Sequence, residues 1–220
     1  MNRLGFGAAA LVIAACSTVP HEPVTSASMQ TAPLGVAALA AAVKRDSQRS
    51  DHESDATVRA QLAQEASGYA GACMAQAPQA AACLYSQALA QGLEAQAHPA
   101  RALPLLKSML QGLSSAEAAD PNYDQAGPAR VQALVLTRAP GWPLGPGDAD
   151  EGVAAARRAV ALHPQYPPNL LALAEALAKT GDVDAARDSY ARAREAAQAL
   201  PPGADRDDWL REAEQGLQKK

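Results

Sequence analysis

Aromatic side chains make up only 4% of the 220 residues, and the single phenylalanine, Phe6, stands near the amino end. Isoleucine is sparse as well, so the β-branched and aromatic stock from which sheet cores are built is missing. No run from residue 34 onward shows the sustained period-2 alternation of a strand. The four histidines, His21, His52, His98 and His163, are isolated, with no second His or Cys at metal-ligand spacing, and no metal site is expected. There is no glycine-rich phosphate loop bearing a lysine and no strand-turn-helix nucleophile elbow; Gly145-Pro146-Gly147-Asp148 is too proline-interrupted to be either. Neither a cofactor nor an enzymatic activity is expected.

Positive charge is also in deficit, with 19 basic against 23 acidic residues. Such a surface repels phosphate backbones at long range, which argues against a nucleic-acid partner.

What the chain has is alanine and leucine. A hydrophobic share of 48%, with so few bulky rings, points to helices packed closely through small side chains. Helices are predicted near 34–48, 54–76, 79–96, 100–117, 125–138, 149–163, 167–180, 183–199 and 204–218. Stops at Asp120-Pro121, His163-Pro164, Thr180-Gly181-Asp182 and Pro201-Pro202-Gly203 separate several of them. Short links between consecutive helices favour antiparallel packing.

The first fifteen residues differ from the rest. Arg3 precedes an apolar stretch from Leu4 to Ala15, which ends in Ile13-Ala14-Ala15-Cys16. The stretch is too short to span a bilayer, which takes roughly 20 helical residues, and it lies where processing segments lie. The ending resembles the lipobox of bacterial lipoproteins, which implies cleavage before a diacylated Cys16; an ordinary secretory signal with Cys16 incidental is the alternative. Ser17 follows, and lacking an Asp there the lipoprotein rule implies the periplasmic side of the outer membrane. Residues 16–33, punctuated by Pro20, Pro23 and Pro33, read as a flexible tether to a helical domain over 34–220.

Two cysteines remain, five residues before and five after Pro78. If Gln76–Gln79 turns an αα-hairpin, Cys73 and Cys83 occupy mirror positions on facing helices, where neighbouring alanines allow the close approach that a disulfide needs. Two reduced buried thiols are the alternative.

Within 168–193, Leu170, Leu173, Ala174 and Leu177 recur at helical spacing, followed after Gly181 by Ala186, Tyr190 and Ala193. This resembles one tetratricopeptide unit: leucines for the inner stripe, alanines where the two helices cross, glycine for the turn, and tyrosine filling the groove to the next unit. Ala159 to Pro164 resembles the end of another unit. A degenerate unit is placed at 54–96, with 34–48 and 204–218 as flanking caps. The fold class is therefore all-α, a tetratricopeptide-like antiparallel helix-pair array or α-solenoid; a plain bundle without repeat geometry is the alternative.

A longer signature runs through Pro121-Asn122-Tyr123-Asp124, Gly127-Pro128-Ala129-Arg130, Ala139-Pro140-Gly141-Trp142-Pro143, Gly147-Asp148 and Tyr166 to Leu177. It resembles the T-component family of TRAP transporters over about residues 55–195, most specifically in the second half. The resemblance implies a helical-repeat lipoprotein docked to a periplasmic solute-binding protein, singly or as a homo-oligomer, with a cavity for a hydrophobic ligand.

Segment 139–147 is rich in Pro and Gly, so Trp142 either plugs a gap between helices or stands exposed as an anchor. If exposed, it is the first candidate for a partner or ligand contact, with Tyr123 and Arg130 as neighbours. Leu171, Glu175 and Lys179 of the clear repeat are further candidates, Glu175 and Lys179 being spaced for an i,i+4 pair. Asp148 reads as a helix N-cap and Asp150 as a first-turn dipole partner. Arg157, Arg158, Arg187, Arg192 and Arg194 read as solvated helix faces. Besides the solute-binding partner, an outer-membrane adaptor in envelope assembly and a carrier of a small hydrophobic molecule stay open.

Overall fold

The computed structural model describes residues 34–218; the leader, Cys16 and the tether lie outside the described residues. Among those described are nine α-helices: α1 Val36–Asp51, α2 Ala56–Gln76, α3 Ala81–Ala97, α4 Ala102–Ala119, α5 Tyr123–Arg138, α6 Ala149–Leu162, α7 Pro167–Thr180, α8 Val183–Gln198 and α9 Ala204–Gln218. The all-α reading holds, with each helix placed within a few residues of its expected span.

Local chemistry sets several of the boundaries. Asp55 accepts from the Thr57 and Val58 amides to start α2, Asp148 from Glu151 to start α6, and Asp182 from Ala185 to start α8. Gly181 ends α7 at φ +87°, a conformation that a Cβ disfavours.

Each helix packs against the next, and the odd-numbered helices also touch one another in series, α1 to α3, α3 to α5, α5 to α7 and α7 to α9. Odd helices thus form one layer and even helices the other. The helix pairs are α1/α2, α3/α4, α5/α6 and α7/α8, with α9 covering the last pair. This corrects the expected phase in the first half: 54–96 straddles two pairs, and α1 is the first helix of a unit and not a separate cap. The alanine-dominated first half has few large residues to mark where a unit begins.

Small residues make the seams. Ala63, Ala66 and Ala70 are fully buried beside Val43 and Leu93, and a Cβ on Gly112 would stand 3.2 Å from that of Ala88. In the clear repeat, Leu170, Leu173, Leu177, Ala174 and Ala186 are all buried, and the Tyr190 ring lies directly against Gly216 of α9. Close helix approach through small residues buries apolar surface without bulky rings, which is how so aromatic-poor a chain still builds a core. Cys73 and Cys83 are fully buried and disulfide-bonded, with Cα atoms 5.2 Å apart across the α2–α3 turn.

Candidate functional site

The layer of odd helices encloses a cavity of about 540 Å³, with all five contributing side chains to it. Its floor is organised by an irregular turn at the start of α5. Asp124, Gln125 and Ala126 all have left-handed backbone, at φ 50°, 59° and 61°. For residues with a Cβ this costs on the order of 1–2 kcal/mol each, so the surroundings must hold the turn. Gly127 follows because a Cβ there would come within 2.9 Å of both the Asp124 carboxylate and the Tyr85 hydroxyl.

What holds it is a buried polar network. Arg130, only 8% exposed, donates to the carbonyl oxygens of Asp124 and Gln125 at 3.1 and 3.2 Å and to Asp124 Oδ2 at 2.8 Å. It also donates to Asn169 Oδ1 at 3.1 Å, and the Asn169 amide in turn donates to the Gln125 and Ala159 carbonyls. Lys44 reaches from α1 to the same Asp124 carboxylate, and Tyr85 of α3 donates to it at 3.3 Å. Burial pushes the Tyr85 phenol well above its ordinary value, so it remains a donor throughout the physiological range. The Tyr123 ring meets Tyr85 edge-on at 5.5 Å.

From this floor the contacts continue toward α9. The Arg130 guanidinium lies 5.3 Å from the Tyr166 ring centroid, and Tyr166 meets Trp209 edge-on at 5.8 Å. At the rim, Arg138 grips Glu175 through two hydrogen bonds of 2.8 and 2.7 Å. That grip, reinforced by the charges of Glu212 and Asp51, holds the guanidinium above its ordinary range. His52, just past the end of α1, lies 3.5 Å from Asp208 of α9, so the first and last helices face each other across the opening.

The expected site residues fall into separate places. Arg130 and Leu171 line the groove, but both are buried and Arg130 is committed to the turn. Tyr123 is half-buried against Tyr85, behind the groove wall. Glu175 pairs with Arg138 and not with Lys179, which is exposed in the last turn of α7; a bidentate guanidinium outcompetes an ammonium four residues away. Arg158, expected on a solvated face, engages Glu117 and Gln132.

Trp142 is 91% exposed and does not line the groove, so it plugs no gap, and Tyr123 and Arg130 are not its neighbours. It follows the carboxyl end of α5, eight residues or roughly 12 Å of helix beyond Arg130. The loop carrying it is pinned by Gly147 N donating to Pro140 O and Asp148 N to Leu136 O, and Leu144 beside it is 78% exposed. Gly145 and Gly147 sit against backbone that leaves no room for a Cβ.

Lys44, Asp124, Tyr166, Asn169 and Trp209 were not anticipated as site residues. They come from four different helices and the turn before one of them, and only the phase of the repeat, which puts odd helices on one face, could have assembled them. Among the described residues no group of three His, Cys, Asp or Glu could hold a metal ion.

Fold and groove together define a tetratricopeptide-type helical array with a concave inner face. Residues 144–203 match the tetratricopeptide repeat family. Among solved structures, the chain is similar to a thermophilic tetratricopeptide protein of Thermus thermophilus, at 22% identity and a TM-score of 0.53, covering 83% of this chain and 92% of that one. Comparison with curated proteins returns no match.

Proposed function

We propose that this chain is a lipid-tethered scaffold, anchored through Cys16 on the periplasmic side of the outer membrane, whose groove receives a periplasmic solute-binding protein. The observation that carries the reading is the convergence of all five odd helices on one cavity whose floor is fixed by a buried polar network. A site that maintains strained backbone and buried charge at its base is preorganised, which lowers the ordering cost of binding. The lipobox-like Ile13 to Cys16 supports the anchor, and the Pro121 to Leu177 signature supports an accessory role like that of a TRAP T-component. The exposed Trp142 and Leu144 give the partner a second contact outside the groove. The test is co-purification from an envelope extract, where a solute-binding subunit should be recovered reproducibly; its consistent absence sinks this reading in favour of an adaptor in envelope assembly.

One observation favours a carrier reading beside it. A neighbouring cavity of about 360 Å³, which shares Asp51, Leu134 and Arg138 with the groove, opens among α3, α4 and α5, with Leu106, Met109, Leu134 and Val135 as its apolar lining. Native mass spectra of the isolated protein should show lipid-like adducts if this cavity is loaded, and bare protein if it is not.

A further inference from the structure

The smaller cavity beside the groove differs from it in kind. Its base is apolar, with Leu106 and Met109 of α4 and Leu134 and Val135 of α5 lining it. Gly92 of α3 belongs to that base for a steric reason, since a Cβ there would stand 3.0 Å from both the sulfur and the methyl of Met109. At about 360 Å³ it has room for roughly a dozen non-hydrogen atoms, taking about 30 Å³ for each water-sized group. Size and lining suit a short aliphatic chain.

The charged side chains of the lining are Asp51 and Arg138, both shared with the groove. They differ in what they already hold. Arg138 is met by both oxygens of Glu175, at 2.8 and 2.7 Å. Asp51, the last residue of α1, makes no side-chain hydrogen bond or ion pair with any described residue. Burial raises its carboxyl from the ordinary value of 3.8 and outweighs the charges of His52 and Arg138, which act the other way. The carboxylate therefore lacks a donor and bears a desolvation cost that an arriving cation would offset.

That difference selects the head group of a ligand. A carboxylate would have to share Arg138 with the bidentate Glu175 while standing beside Asp51, whereas an ammonium meets an acid that has no partner and displaces nothing. We propose that this cavity takes a cationic amphiphile of the aliphatic-amine class, its ammonium on Asp51 and its chain among Leu106, Met109, Leu134 and Val135. This deepens the carrier reading and rests on it, and it selects against the fatty acid that an apolar lining alone would admit.

The test uses the whole chain carrying Cys16→Ser, so that no acyl group of its own can enter the cavity. 1-Octylamine, 1-octanol and octanoate share one aliphatic body and differ in the head, and at neutral pH the amine is an ammonium. In titration calorimetry octylamine should bind at least tenfold tighter than octanoate, with octanol between them. 1-Butylamine should bind at least tenfold more weakly than octylamine, because buried methylenes supply much of the affinity. Asp51→Asn, isosteric and at an exposed position, should weaken octylamine about tenfold and leave octanol unchanged. Met109 is one of four methionines, and its labelled methyl resonance should move as octylamine binds. Octanoate, octanol or butylamine binding as tightly as octylamine overturns the inference, as does octylamine binding indifferent to Asp51→Asn; the cavity then remains a carrier site of other selectivity. An unmoved Met109 methyl, or no binding of any of the four compounds, also overturns it, and the carrier reading is then decided separately by the native mass spectra.

Discussion

Arg130 on α5 donates to the side-chain oxygen of Asn169 on α7 at 3.1 Å, and the amide nitrogen of that same Asn169 donates back to the Gln125 carbonyl of the turn that Arg130 also holds. Two helices of neighbouring units are thus locked through one fully buried side chain. Asn169→Leu would take one acceptor from Arg130 and one donor from each of the Gln125 and Ala159 carbonyls and put an apolar side chain in a buried polar network, at a cost of about 3 kcal/mol. The melting midpoint should fall by roughly 6–12 °C for a domain of this size, as read by circular dichroism. An unchanged midpoint would show that the network is not a stabilising one.

The left-handed turn makes an expectation of unusual sign. In an ordinary helical first turn Gln→Gly destabilises, but Gln125 is exposed and sits at φ 59°, where glycine is free of the Cβ conflict. Gln125→Gly should stabilise by up to about 1 kcal/mol. Chemical denaturation that shows a loss of stability instead would mean the turn is relaxed or helical.

The Cys73–Cys83 bridge closes a short loop, with a sequence separation of 10. By chain entropy it contributes about 2.7 kcal/mol, so the Cys73→Ser, Cys83→Ser variant should lose roughly that amount in urea. Free-thiol titration of the fresh native protein should find neither cysteine reactive, and two reactive thiols would contradict the bridge.

Asp55 has an acid-side signature. The Thr57 and Val58 amides hold its carboxylate below the ordinary value of 3.8. A depressed native pKa means that its stabilisation is complete above the ordinary value and is lost as pH falls through the native one. Asp55→Asn should therefore leave a shallower acid limb in the stability-pH curve; an unaltered limb would show that the cap plays no part in it.

Trp142 touches little, and its removal should show that. Trp142→Ala is expected to change stability by less than about 0.5 kcal/mol, as at other exposed positions, while weakening retention of the proposed protein partner. A large stability loss with binding per folded molecule unchanged would place the ring in the core.

Much of the architecture was legible because helix stops are chemical. Gly181, Pro164 and the Asp caps each mark an end that a neighbouring residue cannot shift, and the leucine stripe from Leu170 to Leu177 fixed one repeat. The phase of the first half was not legible, since alanine at nearly every seam position leaves units indistinguishable. Nor was the Asp124 turn, where three non-glycine residues adopt a conformation that their types do not advertise and that Arg130 and Asn169, close only after folding, hold in place. The groove follows the same logic: Lys44 and Trp209 stand near opposite ends of the described chain and line one cavity only because odd helices stack.

The most direct measurement is site-specific photocrosslinking in the intact envelope, with the probe placed at Gln48 or Pro168 in the groove and at Arg187 or Arg194 on α8. Adducts to a periplasmic solute-binding protein should form from the groove positions and be weak or missing from α8. Strong adducts from α8 with none from Gln48 or Pro168 would contradict the groove as the docking site.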